Sequence, residues 1–215
     1  MKRILCFAIA LVCVTVTFAQ TGAEIVNRMN ERISAHESDG VSLYVDVKVP
    51  VVGAIVTKTA MRGDKRRIEM HTKDYDVITF NDKDTTWLYS VEANSVIITV
   101  DTIMAKVNSA NQGQTGLEMG MFGDIPQGYD ISIKSENLVK WELACKKKKG
   151  NKDSDYPKHI TIEVRKETYQ PISLSTKMMG ITCVMRDFTF GVTEDQVTFN
   201  PDNYPGVTIV DQREQ

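Results

Sequence analysis

Val41-Ser42-Leu43-Tyr44-Val45-Asp46-Val47-Lys48-Val49 alternates without interruption, every odd position apolar and the even ones Ser, Tyr, Asp and Lys. A period of two sends odd and even side chains to opposite faces, so this stretch reads as a strand buried on one side. Further extended runs follow at short intervals: Ala54 to Arg62, Arg66 to Thr72, Asp76 to Phe80, Thr85 to Ser90 and Ser95 to Val100. After a break the pattern returns in Tyr129 to Lys134, Val139 to Cys145, His159 to Arg165, Ile172 to Met178, Ile181 to Phe190 and Val197 to Phe199. Turn clusters such as Gly63-Asp64 and Asn81-Asp82-Lys83-Asp84 separate the runs, which predicts an antiparallel meander. No alternation of strand and helix occurs, and a parallel nucleotide-binding sheet is disfavoured.

Immediately upstream the period is different. Thr21-Gly22-Ala23-Glu24 has the form of a capping box, with Ile25, Val26, Met29 and Ile33 on one stripe and Ser38-Asp39-Gly40 as the stop. An amphipathic helix of about four turns must lie on something. Before it stands MKRILCFAIALVCVTVTFA, Met1 to Ala19: a basic start, an apolar run too short for the roughly 20 residues that span a bilayer, and small residues at its end. That is the pattern of a cleavable secretory signal peptide, with residues 20–215 as one exported domain. Removing Lys2 and Arg3 takes the basic count from 26 to 24 against 28 acidic residues, a net charge of −4, so no global basic field points to nucleic acid. Of four cysteines only Cys145 and Cys183 survive cleavage. An oxidising compartment permits a disulfide between them, and two buried thiols suit the sequence equally.

The break in the strand pattern, Thr102 to Gly128, reads TIMAKVNSANQGQTGLEMGMFGDIPQG. Its five glycines weaken any long helix, while Met104, Leu117, Met119, Met121 and Phe122 make it apolar. A loop this long is uncommon without a role, and methionine adapts to irregular apolar partners, so a flap over the sheet is expected. One helix and one flap are too little to cover so many strands, which suggests a pocket lined by aliphatic and Met side chains. Such a lining suits acyl chains better than sugars or nucleotides.

Catalytic and metal-binding patterns are lacking. His36, His71 and His159 are scattered without ligand spacing, and neither a Gly-x-Ser-x-Gly elbow nor a phosphate-binding glycine loop occurs. The expectation is a protein that is not an enzyme and holds no metal or cofactor. Lys146-Lys147-Lys148-Lys149 is the one charge run, and such runs are usually solvated hairpin tips; the alternative is a docking patch for an acidic partner or anionic headgroups.

The series of elements resembles the LolA/LolB-like family of periplasmic carriers of outer-membrane lipoproteins. Val197-Thr198-Phe199-Asn200-Pro201, then Pro205-Gly206-Val207-Thr208-Ile209-Val210-Asp211, is similar to that family's ending. Asp84-Thr85-Thr86-Trp87-Leu88-Tyr89, and Met61-Arg62 followed by Ile68-Glu69-Met70, resemble two of its internal segments. Gly63 stands where the family has proline, and Arg66 where it has an apolar aromatic, a change that bears on docking to a lipoprotein-releasing transporter.

The resemblance implies a mainly β fold with some helix: an antiparallel, unclosed β-barrel, or half-barrel, with an N-terminal helix and a helical or loop lid over its concave face. The last two short strands would complete its edge. It further implies a periplasmic, monomeric chaperone that takes lipoprotein acyl chains from an inner-membrane transporter to an outer-membrane acceptor. Cavity positions expected on these grounds are Leu43, Val45, Val47, Met61, Ile68 and Met70, joined by Trp87, Trp141 and Leu143. The Met-rich stretch would be the lid, and Arg62 the gate that holds it shut through lid carbonyls. A lipid- or lipoprotein-sensing module on the same scaffold is the alternative, and a hydrolase or adhesion component with a filled core is the third reading.

Overall fold

The computed structural model describes residues 20–50, 53–72, 74–100, 125–151 and 156–213. Helix α1 spans Gly22–Ala35, and its capping box forms as the sequence predicts: Glu24 N donates to Thr21 Oγ1 at 3.2 Å and Thr21 N to Glu24 Oε2 at 2.8 Å. Gly40 then turns the chain into the sheet. It sits at φ 72°, and a Cβ there would lie 2.7 Å from the Met61 carbonyl, so no other residue fits without a shift.

Six strands follow as a meander: β1 (Val41–Val49), β2 (Gly53–Arg62), β3 (Lys65–His71), β4 (Asp76–Asp82), β5 (Thr85–Ser90) and β6 (Ser95–Val100). A second meander holds β7 (Tyr129–Glu136), β8 (Lys140–Lys147), β9 (His159–Arg165), β10 (Pro171–Met178) and β11 (Ile181–Phe190), and β12 (Thr208–Asp211) comes last. Pairing of β1 with β11 joins the two into one twelve-stranded sheet in the order β12-β6-β5-β4-β3-β2-β1-β11-β10-β9-β8-β7. Neighbours are antiparallel except β12 and β6, which run parallel, and β12 does not pair with β7. The sheet is therefore not closed by hydrogen bonds, as an open barrel requires.

The chain's final stretch departs from expectation. Val197–Phe199 is not a strand. Glu194–Val197 is a helical turn, a 3-10 turn covers Pro201–Asn203, and only Thr208–Asp211 extends the sheet. The cause is local: Asn200 Oδ1 accepts from the Asp202 amide at 3.0 Å, and Pro201 has no N–H to offer a ladder.

Cross-strand partners share a face, so the register shows that the apolar residues form two cores on opposite sides of the sheet. On one side α1 buries Ile25, Val26 and Met29 against Leu143, Ile162 and Leu174 of β8 to β10 and against Val41 and Leu43 of β1. On the other side of β4 to β6, Ile78, Phe80, Tyr89, Val96 and Ile98 are covered by Phe199, Tyr204 and Val207 of the C-terminal segment.

Cys145 on β8 and Cys183 on β11 are free thiols with β9 and β10 between them, about 14 Å at ~4.8 Å per strand. Bridging needs Cα atoms within about 7 Å, so the disulfide reading is excluded. Burial pushes the Cys145 thiol up to about 12; burial and then the Asp46 carboxylate raise that of Cys183. Only the thiolate is alkylated, so native protein at pH 8 is expected to protect Cys145 from iodoacetamide until it unfolds, as peptide mass mapping would show. Stability should fall as pH rises from the ordinary thiol value of 9.0 toward 12, because the unfolded chain releases a proton there that the native state retains.

Candidate functional site

Helix α1 is 14 residues, about 21 Å long, whereas twelve strands at ~4.8 Å span about 53 Å. It crosses the strands from β7, where a Cβ on Gly22 would touch Ile131, to the junction of β1 and β11, where His36 stacks on Phe190 at 4.7 Å. Its stripe is used up on β7 to β11 and the first residues of β1. On the same face of β2 to β6 only Met61, at the end of β2, belongs to the core under α1 among the described residues.

Beyond α1 that face has a regular composition. Register links Leu43, Thr59, Ile68, Thr79, Leu88 and Ile97 in one row across β1 to β6, aliphatic and threonine side chains taking turns through Leu88. A parallel row carries Val45, Thr57, Met70 and Val77. Val45, Val47, Ile68 and Met70 are all half-buried, and Leu88 is 41% exposed. Val45, Val47, Ile68 and Met70 all lie on this face, with Thr57 and Thr59 of β2 between the β1 and β3 residues.

Other expected cavity residues lie elsewhere. Leu43, Met61, Trp141 and Leu143 are on the helix-bearing face but belong to the sealed core under α1. Trp87 is on the opposite face, stacked on Phe199 with ring centroids 6.4 Å apart. Its neighbours Thr86 and Leu88 take the helix-bearing side. Met104, Leu117, Met119, Met121 and Phe122 lie outside the described residues. Ile55, Val77, Leu88 and Ile97 also contribute to the surface; strict alternation from Val45 and Ile68 across the ladders was the signal that identifies them.

The lid residues whose carbonyls Arg62 is expected to hold, Met104 to Phe122, lie outside the described residues, and β2 sets the Arg62 side chain relative to the helix-bearing face. Met61 points to that side and Arg62 away from it, where its Nη1 donates to the carbonyls of Asp39 at 3.0 Å and Val192 at 2.7 Å. It ties the turn after α1 and the turn after β11 to β2. Arg62→Leu is expected to cost about 1–3 kcal/mol of stability in urea unfolding, because two carbonyls lose a charged donor. The affinity for an apolar fluorophore should remain unchanged; a marked fall would return Arg62 to the gate.

Nearby, an open cleft of about 700 Å³ is lined by Ser34, Arg62, Asp64, Lys65, Asp82 and Glu194 among others. Three of its charges satisfy one another: Lys65 Nζ lies 2.5 Å from Glu194 and 3.4 Å from Asp82. The lysine run is also partly spoken for, since Lys148 Nζ donates to the Pro126 and Gln127 carbonyls at 3.1 and 2.9 Å. Among the described residues no group of three or more His, Cys, Asp or Glu side chains is placed to hold a metal.

No family model and no curated protein matches the sequence. Solved structures similar to the chain include a LolA superfamily protein from Nitrosomonas europaea, 9% identical over 86% of this chain and 100% of that one, with a TM-score of 0.33. LprF from Mycobacterium bovis is 10% identical over 85% and 99% of the two chains, with a TM-score of 0.47. MucB in the Pseudomonas aeruginosa MucA/MucB complex is 10% identical over 84% of this chain and 62% of that one, at 0.44. The class that the fold and site define is a mainly β protein with an unclosed antiparallel sheet, one N-terminal helix and an apolar surface the helix leaves bare. LolA-like structures are among those it is similar to.

Proposed function

We propose that the protein is a non-enzymatic carrier, exported to the periplasm, that shields the acyl chains of lipoproteins between the inner and outer membranes. The observation that carries this reading is the row from Thr59 to Ile97, an apolar surface on the helix-bearing face beyond the reach of α1. Each methylene buried there contributes about 0.8 kcal/mol, so one long acyl chain offers on the order of 10 kcal/mol before the costs of ordering. Threonines between the aliphatic side chains keep the surface only moderately apolar. Such a surface tolerates water when empty and does not hold its guest beyond recovery, and a carrier needs both properties.

The leader-like Met1 to Ala19 and the resemblance of the chain to the LolA/LolB-like family support the same reading. A lipoprotein-releasing transporter of the inner membrane and an outer-membrane acceptor would be its transient partners, with the protein acting as a monomer and without a cofactor. Native mass spectrometry of residues 20–215, purified from the exported fraction, tests the proposal. The expected spectrum contains adducts with the mass of acylated peptide or lipid. A spectrum of bare protein, together with no binding of an apolar fluorophore, overturns it.

A further inference from the structure

The hairpin joining β10 to β11 breaks a local rule. Its two turn residues, Met179 and Gly180, both have positive φ, 52° and 85°. A turn of this kind favours Asn-Gly or Asp-Gly, and a long unbranched side chain at the first position is strained. Met179 is nevertheless there, and it is 94% exposed. Met178 and Ile181 beside it are also exposed, and a Cβ on Gly180 would lie 3.5 Å from Pro50 Cγ, so the tip adjoins the chain leaving β1. The result is an apolar knob at one end of the sheet.

Behind the knob runs a row of basic residues. Register aligns Lys146, His159, Lys177 and Lys48 across β8, β9, β10 and β1, all exposed on the face opposite α1 and spread over about 19 Å at ~4.8 Å per strand. Asp130 at the β7 end is the row's single carboxylate. Among the described residues no ion pair involves Lys48, Lys146 or Lys177, whereas cations further along the same strands are neutralised: Arg186 by Asp46, Lys140 by Glu163 and Lys134 by Glu142. Unpaired lysines behind an exposed apolar tip are complementary to a surface that is negative outside and greasy beneath.

We infer that this end of the sheet docks on the surface of an anionic lipid bilayer, with Met179 entering the headgroup region and the lysine row lying over the phosphates. Val47 and Ile55, which continue the apolar face beyond α1, lie at the same end of the strands. The docked edge would thus face the membrane with the open end of that surface. The inference stands on the tip and the lysines and does not require that acyl chains be the cargo.

Co-sedimentation of residues 20–215 with phosphatidylcholine vesicles, with and without phosphatidylglycerol, tests it. Binding is expected only to the anionic vesicles, to weaken at high salt, and to fall about fivefold for Lys48→Gln or Lys177→Gln, near the loss expected per charge. Met179→Asn is the decisive variant. Asparagine suits the turn better, so thermal stability should hold or rise while vesicle binding drops about tenfold, the apolar anchor being gone. Three results would each overturn the inference: no binding to anionic vesicles, equal binding to neutral ones, or binding that Met179→Asn leaves intact. Equal affinity for soluble polyglutamate would point to an acidic protein partner instead and would likewise overturn it. Fluorophore binding by the same variants, expected to be normal, separates failure of docking from failure of the carrier reading.

Discussion

Phe80→Ala should destabilise the protein by about 3–5 kcal/mol, the range for removing a buried aromatic ring. Phe80 is 3% exposed, and its ring meets Phe199 and Tyr204 edge-on at centroid distances of 5.7 and 6.5 Å. The Arg67 guanidinium lies over it at 5.4 Å. Because Phe199 and Tyr204 belong to the C-terminal segment, the lost ring also removes what holds that segment to the sheet. Thr208–Asp211 joins the sheet only at its edge, so loosening should extend to β12. Urea unfolding gives the first number, and faster proteolytic cleavage between residues 198 and 207 gives the second. A change below about 1 kcal/mol would mean that the C-terminal segment does not cover this face, since loss of a packed core ring rarely costs so little.

Ile68→Asp is expected to reduce affinity for an apolar fluorophore by at least about tenfold, because a carboxylate under a bound apolar chain loses water without gaining a partner. Ile68 is half-buried in the middle of the row, between Thr59 and Thr79, so the fold should lose little. The control is Trp87→Ala. That ring is on the opposite face against Phe199, so its removal should cost about 3 kcal/mol or more and leave fluorophore affinity intact. If Trp87→Ala abolished binding at wild-type stability and Ile68→Asp did not, the ligand surface would have been assigned to the wrong side of the sheet.

These paired outcomes follow from what alternation does and does not tell. Period two along β3 and β5 sorts residues into two sets, and the sets are correct: Ile68 and Met70 share a side, as do Trp87 and Tyr89. Which set meets the helix and which the C-terminal segment depends on pairings made far away in the chain. Alternation read Val41–Val49 as a strand buried on one side. In β4 to β6 both faces carry apolar side chains, one sealed by Phe199 and Tyr204 and the other beyond the reach of α1. Arg62 shows the same limitation, since its neighbours Asp39 and Val192 are brought to it only when β1 pairs with both β2 and β11.

By itself the sequence determined the parts: a capped helix from Thr21, strands in the alternating runs except Val197–Phe199, a stop at Gly40, and no pattern for a metal or a nucleotide. These depend on interactions within a few residues, where capping, turn chemistry and period act directly. The tertiary structure alone decided that Cys145 and Cys183 stay apart and that the chain's last apolar residues seal the back of the sheet. It also decided that Val45, Val47, Ile68 and Met70 form one surface while Trp87 does not join them. The first rests on strand order, which puts β9 and β10 between the cysteines, and the others on register and pairing between distant strands, where a slip of one residue turns a strand's side chains to the other face.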